Sequence, residues 1–412
     1  MRGLGVLAVA CLFPHPALAA STESQASAAL LGIPIEFLLF GATLLGIALL
    51  HRWNFEVAVI GLAVIATYAW LTTDLDLVAH LSHEARLLAN LLGLLLGFAI
   101  LAKVFENSNV PEWLPRWLPH DWTGGFALLG LVAVLSTFLD NIAAAMIGGV
   151  IANKLYKGRV RVGFLAAIVA AANAGGAGSV IGDTTTTMMW IAGVPALHVA
   201  EAFIPAVVVV VFLGVVAGPA QHRWQPILKD AHLPPTIDRA RLAAIGLMIG
   251  GTIAANVLWD FPAAGLWAAI LLVSLVRRIP WGELLRAAKG SLFLCSLVIS
   301  ASLMPVTSLP DPSWQTALGM GFVSAVFDNI PLTALALYQG GYDWGVLAFT
   351  VGYGGSMIWF GSSAGVALSN LFPEAKNTVR WVAEGWHVGV AYVVGFFLML
   401  ALIGWHPDAM PG

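Results

Sequence analysis

Charge is the scarcest ingredient of this 412-residue sequence: Asp, Glu, Lys and Arg together make up 10%, while 59% of the residues are hydrophobic. Soluble domains carry about 25% charged residues. So few charges cannot give so apolar a chain a water-compatible surface, which excludes a soluble protein and leaves a membrane-embedded one. A basic excess is also lacking, with 19 Lys and Arg against 22 Asp and Glu. That balance excludes a nucleic-acid partner and leaves membrane lipids as the surroundings. The two cysteines, Cys11 and Cys295, are too few for a disulfide framework or a thiolate metal site. No motif calls for an organic cofactor.

The N-terminus reads as a targeting segment. Arg2 precedes a short apolar run from Leu4 to Phe13, followed by Pro14, Pro16 and the small-residue triplet Ala17-Leu18-Ala19. The run is too short to span a bilayer and the triplet suits a signal peptidase, so residues 1–19 are expected to be a signal peptide that carries Cys11 away. The mature chain then begins outside.

Apolar runs long enough to cross about 30 Å of hydrocarbon occur at 29–50, 54–72, 85–105, 163–194, 198–219, 241–259, 263–277, 290–309, 344–371 and 381–404. Two further runs, 124–153 and 315–340, carry acidic residues near their middles. If 124–153 crossed, Lys154, Lys157, Arg159 and Arg161 would lie outside, against the tendency of basic loops to stay inside. The conflict disappears if 124–153 enters and returns as a re-entrant hairpin tipped near Asp140-Asn141, and if 315–340 does the same from the opposite face. All Lys and Arg except Arg2 and Arg86 then fall inside.

This frame exposes an internal repeat. Ser136-Thr-Phe-Leu-Asp140-Asn141-Ile142 matches Ser324-Ala-Val-Phe-Asp328-Asn329-Ile330, and Gly175-Gly176 ahead of Gly182 matches Gly354-Gly355 ahead of Gly361. The expected fold is an all-α polytopic membrane protein of two inverted repeats, 29–219 and 241–404, joined by a cytoplasmic linker at 220–240. Each repeat has about five transmembrane helices plus a hairpin, with the spans 163–194 and 344–371 broken at the midplane. Inverted repeats with broken helices are the architecture of secondary transporters.

Three carboxylates fall at membrane depth, Asp140, Asp183 and Asp328, with no Lys or Arg at comparable depth to pair with them. A buried charge without a partner costs several kcal/mol, and a proton or a bound cation would supply the compensation. A group that holds either H⁺ or Na⁺ is what a cation/proton exchanger needs. Asp140 and Asp328 also suit the N-cap of the second hairpin arms, and the two roles are compatible. Around Asp183, the glycines Gly175, Gly176, Gly178 and Gly182 are expected to unwind the span or to serve as small packing residues. Asn173, Ser179, Thr184, Thr185, Thr186 and Thr187 add the oxygen ligands that hard cations prefer. The second half offers Ser356, Ser362 and Ser363 among Gly354, Gly355 and Gly361, with Ser362 in the place of Asp183.

Other polar residues are less selective. Glu36 and Glu56 sit near span ends, Glu384 and His387 open the last span, and Asn256, Thr350 and Tyr353 are candidates for the path. The tryptophans, among them Trp113, Trp117 and Trp122, suit the membrane interface, and Trp281–Lys289 has the pattern of a surface amphipathic helix. Enzyme readings fail on context. Gly361-Ser-Ser363-Ala-Gly365 fits G-x-S-x-G without the strand–turn–helix it needs, and Val180 breaks the pattern of an intramembrane aspartyl protease around Gly182-Asp183.

The segment Asn173-Ala-Gly-Gly-Ala with Ile181-Gly-Asp183-Thr-Thr-Thr and Met188-Met-Trp-Ile191 resembles the signature of NhaD-type Na⁺/H⁺ antiporters. The hairpin tips Leu139-Asp140-Asn141 and Asp328-Asn329-Ile-Pro331-Leu332 fit the same family. It belongs to an ion transporter superfamily that includes arsenite permeases and sodium/dicarboxylate symporters. The resemblance implies exchange of Na⁺ or Li⁺ for protons across a bacterial inner membrane, small cations as cargo, and a homodimer. By motif position, Asp140, Asn141, Asn173, Asp183, Thr185, Thr186, Ser324 and Asn329 inherit ion-site roles, and Na⁺ is expected at Asp183, Asp140 and Asp328. The chain departs from the family after its first Asp-Asn, where Ile142-Ala143-Ala144-Ala145 carries no hydroxyl. The Ser-Asn-Thr hairpin signature of carboxylate symporters is absent. The alternatives are another solute, such as arsenite or an organic anion, and an intramembrane protease.

Overall fold

At membrane depth a backbone N–H or C=O has no water to bond, so apolar segments must satisfy those groups internally, as helices do. A computed structural model describes residues 29–30, 33–50, 53–73, 76–229 and 236–408. The expected signal segment 1–19, Arg52 and linker residues 230–235 lie outside the described residues. Apart from a short ribbon pairing β1 (Ala29–Leu30) with β2 (Ile33–Pro34), the regular structure is helical. Among the described residues, five segments are long and apolar enough to cross a bilayer unaided. They are α2 (Asn54–Thr72), α3 (Leu77–Glu106), Ala196–Trp224, α11 (Arg239–Trp259) and α13 (Gly282–Ser302). The chain is a multi-pass membrane protein.

Four of these spans, α2, α3, α11 and α13, form the outer part, together with α1 (Ile35–Leu49) and α12 (Pro262–Val276). α1 packs on α2 and α11 on α12, while α2 meets α13, α3 meets α12, and α3 meets α13. Their outward faces carry Leu275 and Val276, each 80% exposed, and Val257 at 77%. Exposed apolar surface of that kind suits hydrocarbon rather than water.

The interior is built mostly from shorter helices. A short α4 (Val110–Trp117) leads to α5 (Trp122–Ser136) and α6 (Asn141–Leu155), which form the first hairpin. α7 (Val162–Ala177) and α8 (Thr184–Ile191) follow, then α9 (Ala196–Ala200) and α10 (Phe203–Trp224). The second half supplies α14 (Trp314–Ser324) and α15 (Asn329–Gln339), then α16 (Trp344–Gly354) and α17 (Ser363–Leu371), and finally α18 (Thr378–Glu384) and α19 (Trp386–Leu402). At 1.5 Å per residue, the 15 residues of α5 or α6 reach about 22 Å, short of a full crossing. Every residue of α7 and of α16 is buried, and the two helices pack against each other.

One sequence expectation needs correction. Trp281–Lys289 is not a separate surface helix, because α13 runs unbroken from Gly282 to Ser302; its polar face turns toward a cavity described below. The last span is not straight, since α18 and α19 meet at a 57° bend. The bend lets Glu384 accept the Gly163 N–H (3.4 Å) and pair with Arg161 (3.6 Å), which ties this segment to the start of α7.

Candidate functional site

Four helices begin close together in the interior, and the residues at their starts fall into two conformational pairs. Asp140, ahead of α6, has φ −51° and ψ 141°, and Asp328, ahead of α15, has φ −53° and ψ 141°. Asp183, ahead of α8, has φ −142° and ψ 144°, and Ser362, ahead of α17, has φ −141° and ψ 151°. The repeated motifs thus fold into repeated local structures. α6 packs on α17 and α8 on α15, so each hairpin's second arm meets the broken segment of the other half.

Three of these four starts carry a carboxylate. Asp183 Oδ1 accepts the Thr185 N–H at 3.1 Å and Asp328 Oδ1 accepts the Ile330 N–H at 3.1 Å. Asp140 occupies the same capping position but its carboxylate makes no capping hydrogen bond. Ser362 caps the fourth start by accepting the Gly365 N–H at 3.3 Å. A helix N-terminus carries partial positive charge, which favours the carboxylates at three of these starts.

Asn141 joins the first hairpin to the break. Its backbone N–H bonds the Gly182 carbonyl at 3.0 Å, and its Nδ2 donates to both Asp183 Oδ2 and Asn173 Oδ1 at 3.1 Å. Asn173 in turn donates to Ser356 Oγ at 2.9 Å, linking α7 to the break after α16. This chain of amides fixes the Asp183 carboxylate from one side, and Asp183 itself is 3% exposed.

Glycine permits the close approach. Unwinding starts at Gly178, so Gly175 and Gly176, grouped with the break in the sequence, remain helical in the last turn of α7. A Cβ on Gly175 would stand 2.0 Å from the Ala133 carbonyl oxygen, and one on Gly182 would stand 2.0 Å from that of Ser136. The second half repeats this, with Gly354 at 2.2 Å from the Gly321 carbonyl oxygen and Gly361 at 2.4 Å from that of Ala325. Gly176 and Gly355 face the carbonyls of Gly182 and Gly361 in the same way.

A cavity of about 490 Å³ opens beside this network, lined by Asp140, Asn141, Asp183, Thr184, Asn329 and Ser363 at its inner end. Its walls come from α3, with Leu94 and Phe98, and from α13, with Gly290 and Ser291. Toward the other end stand Asn54, Glu283 and Arg286. Among the described lining residues Arg286 is the one basic side chain; it is 76% exposed and pairs with Glu283 at 3.1 Å.

The remaining expected site residues divide by contact. Ser363 donates to Asp328 Oδ2 at 3.4 Å. Thr186 donates to the carbonyls of Ser179 and Asp183, which knits the break together rather than facing the cavity. Ser324 is fully buried and donates to the Val351 carbonyl at 2.8 Å. Thr185 Oγ1 is buried without a hydrogen-bond partner, and so is Ser136 Oγ. Among the described residues no three His, Cys, Asp or Glu side chains gather into a metal-holding group, so the three aspartates do not form one cage. Sequence reasoning missed Asn54, Glu283 and Ser291; the spacing of Glu283, Arg286 and Gly290 along one face of α13 is a signal for the last two, and Asn54 on α2 has none.

A model of a family described as citrate transporter matches residues 1–354. The sequence is similar to sodium/proton antiporter 1 of Arabidopsis thaliana, 27% identical over 86% of this chain and 71% of that protein. It is also similar to the Na(+)/H(+) antiporter NhaD of Vibrio parahaemolyticus, at 27% identity over 70% of this chain and 84% of that one. The NhaD of Halomonas elongata is 27% identical over 66% and 68% respectively.

Proposed function

The chain belongs to the citrate-transporter family CitMHS, a family of transporters and not of enzymes, and from that premise we propose that it exchanges Na⁺ for protons across a bacterial inner membrane. The observation that carries this reading is the charge at the helix starts. Three of the four N-termini that face the interior already hold the chain's own carboxylates, Asp140, Asp183 and Asp328. The basic side chain of the cavity stands away from them, paired with Glu283. An anionic solute would meet negative charge there, whereas a Na⁺ or Li⁺ ion meets carboxylate, amide and hydroxyl oxygens of the kind hard cations prefer.

In this reading Asp183 is the principal carboxylate and holds either a proton or the ion. Asn141 and Asn173 orient it, and Asp140, Thr184, Thr185 Oγ1 and Ser136 Oγ are at hand for the remaining coordination. By the tendency of basic segments to stay inside, the Glu283–Arg286 end of the cavity would face the cytoplasm and connect the site to it. The other half of the cycle would follow from the two repeats, inverted with respect to each other, exchanging conformations. A homodimer embedded in lipid is the assembly proposed. A second reading, transport of a citrate-like anion, is favoured by the description of the matched family and opposed by the capped helix starts.

Everted membrane vesicles carrying an imposed pH gradient, followed with a pH-sensitive dye, separate the two. Na⁺ and Li⁺ are expected to collapse the gradient while citrate leaves it unchanged. No response to either cation at any pH from mildly acidic to alkaline would remove the antiporter reading. Within it, Asn173→Ala takes away the bridge between Asn141 and Ser356 without touching a carboxylate. The apparent KM for Na⁺ is expected to rise about 10- to 100-fold, the usual cost of losing a group that orients an ion ligand, with a smaller change in maximal rate. An unchanged KM would show that the amide chain does not support the site.

A further inference from the structure

A second cavity, of about 250 Å³, lies at the ends of helices in the outer part, away from the ion site. Its wall is formed by Val104 and Asn107 at the end of α3, Arg241 and Ala244 at the start of α11, Val273 and Arg277 at the end of α12, and the connector Arg278–Pro280. Three arginines therefore line one small pocket. Asp238 is the carboxylate that faces them: its Oδ2 lies 3.1 Å from Arg277 Nη1 and 3.6 Å from Arg241 Nε. Its Oδ1 accepts the N–H groups of Ala240 and Arg241 and so caps α11. Arg241 also donates to the Asn107 carbonyl.

These bonds hold Arg241 and Arg277 in fixed positions while offsetting only one of their charges. Three guanidinium groups against one carboxylate leave two positive charges in excess, and Arg278 is exposed on the same rim. The partial positive end of α11 points the same way. Beside the pocket, the outward face of α12 presents Leu272, Leu275 and Val276, all exposed. An apolar flank running away from a basic pocket matches a ligand with an anionic head and hydrocarbon tails. Basic pockets between transmembrane helices on the cytoplasmic side are known to take lipid phosphates.

We propose that this pocket binds a phosphate group, presented by the headgroup of an anionic phospholipid. Arg277 and Arg278 supply the paired N–H donors that suit phosphate geometry, Arg241 closes the inner wall, and the acyl chains lie along Leu272, Leu275 and Val276.

The test uses the purified, delipidated full-length chain in detergent. Native mass spectrometry measures retention of phosphatidylglycerol against phosphatidylcholine, and thermal unfolding is followed with each lipid and with inorganic phosphate. Retention of phosphatidylglycerol above phosphatidylcholine is expected, with affinity falling about fivefold for each arginine removed in Arg278→Ala and in Arg277→Ala/Arg278→Ala, the usual strength of one basic residue at an anionic membrane surface. Arg278→Ala is exposed and keeps the Asp238 contacts, so it reports on binding even where the double variant unfolds. Equal retention by wild type and Arg278→Ala overturns the site. Stabilisation by inorganic phosphate equal to that by phosphatidylglycerol overturns the lipid as its source.

Discussion

Asp183→Asn is expected to reduce Na⁺-driven proton movement to the level of vesicles lacking the protein, while the protein still folds and accumulates. Asn keeps the shape of the side chain and an oxygen that can accept the Thr185 N–H now bonded at 3.1 Å, so the start of α8 stays capped. What disappears is the charge, together with the oxygen that accepts from Asn141 Nδ2. A buried cation without a counter-charge is costly, and an amide cannot alternate between carrying a proton and carrying an ion. Asp140→Asn and Asp328→Asn are expected to be graded rather than equal. Asp140 lines the cavity and makes no capping bond, whereas Asp328 is held by the Ile330 N–H and the Ser363 hydroxyl. Accordingly Asp140→Asn should weaken ion binding and Asp328→Asn should lower stability more. Substantial Na⁺-driven exchange in Asp183→Asn would move the principal role to another carboxylate.

The second large effect is structural. Gly175→Ala would place a methyl group 2.0 Å from the Ala133 carbonyl oxygen, a contact with backbone that no rotamer change relieves. Overpacking of this kind costs about 1–3 kcal/mol and occasionally more, and α7 and α5 would have to separate at the centre of the molecule. A loss of at least about 3 kcal/mol, or failure to accumulate in the membrane, is expected. Gly354→Ala meets the Gly321 backbone in the same way at 2.2 Å, so the two variants should behave alike. Gly130→Ala, on α5 with nothing within 4 Å of the added carbon, should be neutral or slightly stabilising through helix propensity. Thermal unfolding of the detergent-purified variants checks all three, and a Gly175→Ala protein as stable as wild type would contradict the close crossing of α5 and α7.

Much of the interior was legible because its signals are local. Asp140-Asn141 and Asp328-Asn329 stand between apolar arms too short to cross, and the glycine-rich stretches fall at matching distances in the two halves. These places became turns with nearly equal dihedral angles. What stayed hidden depends on packing between distant segments. Nothing in the sequence around Gly175 and Gly176 distinguishes a glycine that unwinds a helix from one that lets α5 approach. The role of Asp183 as a cap depends on where unwinding ends, five residues beyond its first glycine, Gly178. The polar face of Glu283 and Arg286 looked like a surface feature because its partner, the cavity, is assembled from α2, α3 and α13, far apart along the chain. The bend at Gly385 was hidden likewise, because the contacts that accompany it, from Glu384 to Arg161 and Gly163, join segments more than two hundred residues apart in sequence.

The proposed exchange requires one group to hold a proton or an ion and never both, and proton release on ion binding measures this directly. Purified protein in weakly buffered detergent solution with a pH dye should release protons saturably when NaCl is added. Choline chloride should release none, and Asp183→Asn should release none with either salt. Na⁺ that binds, as seen by thermal stabilisation, yet releases no proton from the wild-type chain at any pH would contradict the account.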